Sequence, residues 1–228
     1  MTVTQTVHLE AGGLLFDMDG VLMSSLGSVE RSWRKFAEMR GLDPALAVKI
    51  AHGKRALDTV KHLMPNANAE AELRIIEQIE IDDTEGISLL PGVLELLHSL
   101  PSDAWTIVTS ATTRLAESRL ACVGITPPVR FITSEMVANG KPHPEPYLRG
   151  AALLGLQPQD CLVIEDAPAG VAAGKAAGCP VLAVLTTHAP ETLTAADWRV
   201  PTLAHLRLES ARTTAQGRRL TLVCDTEP

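Results

Sequence analysis

The chain reads as an α/β protein, a doubly wound parallel sheet carrying an inserted helical domain, and three observations predict it. An apolar run near the N-terminus stops abruptly at two acids and a glycine. A stretch of purely helical pattern follows, and from Leu89 almost to the end strand-like and helix-like segments alternate. With 228 residues, of which 46% are hydrophobic, the chain is long enough for one large α/β domain with a smaller insertion.

The opening run, Leu14-Leu15-Phe16 before Asp17-Met18-Asp19-Gly20, has the character of a buried parallel strand. In an extended backbone, residues two apart point the same way, so Asp17 and Asp19 converge on one small volume. Such a pair is tolerated when a cation lies between the carboxylates or one keeps its proton, conditions that suit phosphoryl transfer. The same residues also read as a plain acidic turn closing a strand.

The next segment is helical. Ser24 or Ser25 is placed to cap a helix whose Val29, Trp33 and Phe36 share one face, and Gly41 ends it. Pro44 suits the first turn of a second helix. Leu57, Val60 and Met64 mark a third, after the turn His52-Gly53-Lys54-Arg55, and Pro65 stops it. Leu73, Ile76 and Ile79 mark a fourth. Four short amphipathic helices form an insert that packs on itself, giving a core from 1–22 and 87–228 and a helical domain from 23–86.

In the remainder, helices are predicted over 91–100, 112–123, 145–154 and 169–177, and strands over 105–109, 129–133, 161–164 and 181–185. The glycines and alanines around Gly170 and Gly174 allow a helix to pack closely on the sheet. They do not have the spacing of a phosphate-cradling loop. Residues 209–228 read as an edge hairpin or a disordered end without chemistry.

Composition narrows the function. The net charge of −7, with a pI near 5.5, argues against binding nucleic acid or an anionic membrane. No apolar run approaches spanning length and residues 1–10 lack signal-peptide character, so a cytoplasmic protein is expected. Nothing in the pattern suggests an interface, and a monomer is expected. Cys122, Cys161, Cys179 and Cys224 show no metal or redox spacing and are expected as reduced core residues. No Gly-x-Ser-x-Gly elbow or His-Glu-x-x-His helix occurs.

Parallel sheets bind ligands at the carboxyl ends of their strands. Asp17 and Asp19 follow the first strand, Thr109 and Ser110 the second, Lys141 lies after the third, and Glu165 and Asp166 follow the fourth. Each alone has a plain alternative as a cap, a solvated lysine or an acidic turn. Together they put acids, hydroxyls and one lysine at a single sheet edge.

Four stretches, Phe16-Asp17-Met18-Asp19-Gly20, Val108-Thr109-Ser110, Gly140-Lys141-Pro142-His143-Pro144-Glu145-Pro146-Tyr147 and Ile164-Glu165-Asp166-Ala167-Pro168-Ala169-Gly170, resemble in order and context the four motifs of the haloacid dehalogenase superfamily. The pattern is most similar to the branch holding β-phosphoglucomutase and the small sugar and polyol phosphatases. The resemblance implies a core of strand order 5-4-1-2-3 and a four-helix cap. It implies that Asp17 attacks phosphorus and forms an aspartyl-phosphate, while Asp19 protonates the leaving alcohol and then activates water. It further implies Mg²⁺ held by Asp17, the Asp19 main-chain carbonyl and Asp166, with Glu165 beside them. Thr109 and Lys141, with main-chain N–H groups near Ser110, would neutralise oxygens that gain charge.

By the same resemblance the cap selects the substrate, with Arg55 as the best contact and His52 and Lys54 as further cations of that turn. Met23-Ser24-Ser25 stands where many relatives carry an acid, as in some polyol-phosphate phosphatases. The expected activity is a Mg²⁺-dependent phosphatase for a small phosphorylated sugar or polyol. A sugar phosphomutase and a catalytically silent binding domain are the alternatives. A dehalogenase is disfavoured because Asp19 would have no leaving alcohol to protonate.

Overall fold

A computed structural model describes residues 5–51, 53–214 and 217–226. In chain order the elements are β1 (Gln5–Ala11), β2 (Gly13–Phe16), β3 (Met23–Ser24), α1 (Leu26–Arg40), α2 (Pro44–Ala51), α3 (Ala56–Leu63), α4 (Ala69–Asp82), β4 (Ser88–Leu89) and α5 (Val93–Ser99). Then follow β5 (Trp105–Ile107), α6 (Thr113–Cys122), α7 (Glu145–Leu153), β6 (Cys161–Glu165), α8 (Pro168–Ala176), β7 (Val181–Val184), β8 (Trp198–Val200), β9 (Leu206–Thr214) and β10 (Gly217–Thr226). No helix among the described residues is long and apolar enough to cross a membrane.

The central sheet runs β5-β2-β6-β7-β8 with every pairing parallel. Strands β2, β6 and β7 are buried along their whole length, as strands covered on both faces must be, which is why they read as unbroken apolar runs. The fold class and the order predicted from the sequence hold, with two changes. The strand expected over 129–133 contracts to one parallel bridge between Val108 and Ile132, beside β5 where a third strand belongs. Pro127 and Pro128 offer no N–H to a ladder, Val129 is fully exposed, and a short 3-10 turn begins at Ser134. The sheet also gains an edge strand, β8, too short to stand out in the sequence.

A second sheet was not expected as such. The C-terminal segment is a hairpin of β9 and β10, and β10 also pairs antiparallel with β1, so the order is β1-β10-β9. Of the two alternatives for the tail, the hairpin is the one found. It belongs to the core: Leu220, Leu222 and Cys224 are buried in the same apolar cluster as Leu96, Leu97, Leu182 and Val200. Cys161, Cys179 and Cys224 are buried, and burial pushes their thiols up to about 12, 11 and 12, which makes them inert. Cys122 differs from expectation, lying exposed at the end of α6.

Helices α1–α4 have their own core, built on Trp33, Phe36, Val48, Val60 and Ile76. The chain enters and leaves this four-helix unit through β3 and β4, which pair antiparallel with Met23 opposite Leu89. Ser25 stands at the N-cap of α1 but makes no capping bond, because its hydroxyl is used elsewhere. On the other side of the site, the loop that carries Lys141 is tied down by Glu145, whose carboxylate accepts from the main-chain N–H of Ala138 at 3.0 Å and of Asn139 at 2.9 Å.

Because Leu222 is fully buried beneath the hairpin, Leu222→Ala lowers the unfolding free energy in urea by about 2–5 kcal/mol; a change within about 0.5 kcal/mol would show the hairpin to be peripheral. The Ala138 and Asn139 N–H groups hold the Glu145 carboxyl down to about 2. A depressed carboxyl stabilises the folded state above its unfolded value and loses that contribution as pH falls through the folded one. Protection of the Ala138 and Asn139 amides, measured relative to the intrinsic exchange rate at each pH, should therefore be high above about pH 4.5 and should fall, more than at other loop amides, as pH falls toward about 2.

Candidate active site

The carboxyl ends of β2 and β6 lie side by side, because Phe16 is in register with Ile164. That register brings Asp17, Glu165 and Asp166 together, with carboxylate oxygens within 4.8 Å of one another, and all three are buried. A single ammonium reaches into the group. Lys141 Nζ donates to Asp17 Oδ1 at 2.5 Å and to Glu165 Oε1 at 2.6 Å.

Glu165 is fully engaged. Its Oε1 also accepts from the hydroxyl of Tyr147 at 2.6 Å, and its Oε2 accepts from the main-chain N–H of Asp166 and Ala167. Tyr147 is fully buried, and the Lys141 ammonium lies 5.1 Å from its ring centre. A Cβ at Gly170 would collide with the Glu165 carboxylate, so α8 can begin here only with glycine at that place. Gly20 has a positive φ of 83°, and a side chain there would strike Asp166. Thr187, after β7, donates to Asp166 Oδ2, and Thr186 donates to the Gly20 carbonyl.

Burial, then the neighbouring carboxylates, push Asp17 up to about 7 against the pull of Lys141. Asp166 is raised well above the carboxylate range by burial and by Glu165 and Asp17. For Glu165, burial is outweighed by Lys141 and the hydrogen bonds to its oxygens, and it stays below its ordinary value. Burial works against the Lys141 ammonium, but Asp17 and Glu165 outweigh it and keep it charged. Three carboxyl groups facing one ammonium are hard oxygen donors that ionise together only with further positive charge beside them, the environment a divalent cation of the Mg²⁺ type takes. Asp17 and Asp166 have the freer oxygens; Glu165, with four accepted hydrogen bonds, serves Lys141 and the turn after β6.

One cavity, walled by the sheet edge below and by α1 and α4 above, holds Asp17, Asp19, Thr109, Ser110, Lys141, Glu165 and Asp166 together. Thr109 is buried, and its Oγ1 accepts from the N–H of Ala111. The cap side adds an apolar wall from Leu26, Val29, Trp33 and Leu73, and Lys54 lines the cavity too. Arg55 does not line it. Its guanidinium is bound to Asp58 at 2.7 and 2.9 Å and to the Val137 carbonyl at 3.1 Å, so it ties the helical insert to the loop before Lys141. His52 lies outside the described residues.

Asp19 is held in a way the sequence did not suggest. Its Oδ1 accepts from the Ser25 hydroxyl at 2.6 Å, and its Oδ2 accepts from Arg119 at 2.9 Å. Arg119 also donates to Glu80 of α4 at 3.1 Å. The legible signal was a charge on the buried stripe of α6, where Arg119 falls among Leu115, Ala116 and Leu120. Tyr147, the only tyrosine in the chain, sits likewise on the buried face of α7.

The chain is 47% identical over 177 residues to hexitol phosphatase A of Escherichia coli, an alignment covering 75% of this chain and 82% of that protein. It is 36% identical over 196 residues to glycerol-1-phosphate phosphohydrolase 2 of Saccharomyces cerevisiae, covering 81% and 78%. Among solved structures, β-phosphoglucomutase from Clostridium difficile superposes with a TM-score of 0.72 at 24% identity, covering 85% of this chain and 92% of that one, which is a likeness of fold. The family model for haloacid dehalogenase-like hydrolases matches residues 12–178, and the chain belongs to that family.

Proposed function

We propose that this protein is a Mg²⁺-dependent phosphatase of small phosphorylated polyols or sugars, working through an aspartyl-phosphate. The observation that carries the reading is the cluster of Asp17, Glu165 and Asp166 around the Lys141 ammonium at the carboxyl edge of the sheet. The names of the relatives, phosphatases of a hexitol and of glycerol 1-phosphate, support the substrate class.

In this reading an oxygen of Asp17 bonds to phosphorus as the bond from phosphorus to the alcohol oxygen breaks. Asp19 gives its proton to that oxygen, and the alcohol leaves neutral. Water then attacks the phosphorus, passes a proton back to Asp19, and inorganic phosphate departs with Asp17 regenerated. Lys141, the Thr109 hydroxyl and the N–H groups near Ser110 stabilise the phosphoryl oxygens as charge builds on them. Asp17, Asp166 and the Asp19 carbonyl would hold the cation, which supplies compensating positive charge and favours the ionised form of Asp17. Glu165 and Tyr147 position Lys141. The helical segment, bounded at 23 and 86, acts as the cap that excludes water and selects the alcohol; Lys54 and the apolar wall face that space, whereas Arg55 holds the cap to the core.

A panel containing glycerol 1-phosphate, hexitol 6-phosphates and aldose phosphates tests the reading by release of inorganic phosphate. Release with Mg²⁺ that is lost on chelation supports it, whereas isomerisation primed by a bisphosphate would identify a mutase. Asp17→Asn should reduce release to background, and unchanged hydrolysis would remove the proposed nucleophile. Lys141→Ala should lower turnover by roughly 10²-fold or more while the fold, followed by circular dichroism, persists. A loss under about threefold would take Lys141 out of the chemistry.

A further inference from the structure

We propose that Arg119 is a positioning residue for the acid-base carboxylate Asp19, and that through Glu80 it ties Asp19 to the cap. The inference rests on the reading of Asp19 as the group that protonates the leaving alcohol.

Three observations carry it. Arg119 is buried among apolar residues on α6, yet spends two of its nitrogens on carboxylates, Asp19 Oδ2 at 2.9 Å and Glu80 Oε1 at 3.1 Å. A buried guanidinium is costly to place for packing alone, so its partners explain its position. Those partners come from both halves of the molecule: Asp19 follows β2 of the core, and Glu80 belongs to α4 of the inserted helices. The same α4–α6 contact is reinforced by Thr112, which donates to Glu77 at 2.5 Å, and by Arg114, which donates to Gln78 at 2.6 Å. Arg119 therefore sits where the cap seats on the core. Finally, Arg119 lines the same cavity as Asp19 and Glu80.

The chemistry of the donors makes the arrangement directional. A guanidinium only donates, so Oδ2 of Asp19 is always an acceptor while Arg119 holds it. The Ser25 hydroxyl on Oδ1 can donate or accept. The proton that Asp19 passes to the alcohol oxygen must then travel on Oδ1, and Arg119 fixes that oxygen's direction by holding the other. Loss of Arg119 lets the carboxylate turn and removes the link to α4.

The effect should appear where the leaving group needs a proton and be much smaller where it does not. For Arg119→Met, kcat/KM is compared between glycerol 1-phosphate or a hexitol 6-phosphate, whichever the wild type turns over faster, and p-nitrophenyl phosphate, whose leaving group departs unprotonated. This parameter covers only the steps through departure of the alcohol. The alkyl-to-aryl ratio should fall by about 10- to 100-fold, a part of the 10²- to 10⁴-fold typical of general acid-base catalysis, and Arg119→Lys should recover part of it. In Asp19→Asn the ratio should fall further, and adding Arg119→Met to that variant should not lower it again.

Equal losses on both substrates, with the ratio within threefold of wild type, would overturn the proposal, since that is the behaviour of a merely structural residue. Should Asp19→Asn itself leave the ratio unchanged, the reading of Asp19 as the acid falls, an outcome separable from failure of Arg119 alone. Arg119→Met leaves Glu80 buried and unpaired, so the double variant Arg119→Met/Glu80→Gln provides a folded background for the same ratio.

Discussion

The site depends on one buried ammonium. Lys141 is surrounded by more carboxyl groups than it can neutralise when ionised, with Asp17 and Glu165 in direct contact and Asp166 beside them. Without it, two buried carboxylates would lose the one ionic partner they have among the described residues, and burial would favour their protonated forms. Much of the surrounding structure serves to hold that one nitrogen. Tyr147 braces Glu165, Gly170 leaves room for the Glu165 carboxylate, and Glu145 pins the loop that delivers the lysine.

The same electrostatic arrangement appears a short distance away, with a guanidinium in place of the ammonium. At Asp19 a buried guanidinium stands between a carboxylate of the core and one of the cap, so Arg119 and Lys141 flank the two acids that end the first strand of the central sheet. The two cations differ in what they connect. Lys141 joins two strand ends within the sheet, whereas Arg119 joins the sheet to a helix of the inserted unit. In the proposed mechanism, chemistry and substrate access are thereby coupled to different members of the same carboxylate pair.

The sequence made the sheet edge legible because two strong regularities coincide there. Unbroken apolar runs identify strands buried on both faces, and the parallel topology puts their carboxyl ends, with Asp17, Glu165 and Asp166, on one side; that the two strands are neighbours came from the resemblance to the family. What could not be read has equally definite causes. Strand β8 is only three residues long, and the expected strand near Ile132 was an apolar run whose prolines leave it a single bridge. β1 and β10 show their purpose only when paired, since residues at opposite ends of the chain complete one another's ladder. Ser25 was legible as a helix cap, but the nearby carboxylate of Asp19 takes its hydroxyl instead. Arg55 was expected, by resemblance, as the cap's best substrate contact; its partner Asp58 lies one helical turn on, a spacing that forms ion pairs, and the Val137 carbonyl comes from a loop 82 residues away.

The pairing of β3 with β4 has an evolutionary consequence. Because Met23 and Leu89 face each other across a two-strand ladder, the four-helix unit begins and ends at nearly the same point in space. Everything between could be lengthened, shortened or exchanged for another compact module without altering the register of β2 with its neighbours. A lineage can thus try new alcohol specificities by remodelling one appendage while the phosphoryl-handling machinery stays intact. Its main constraint would be to retain, or reinvent, an acidic partner for α6.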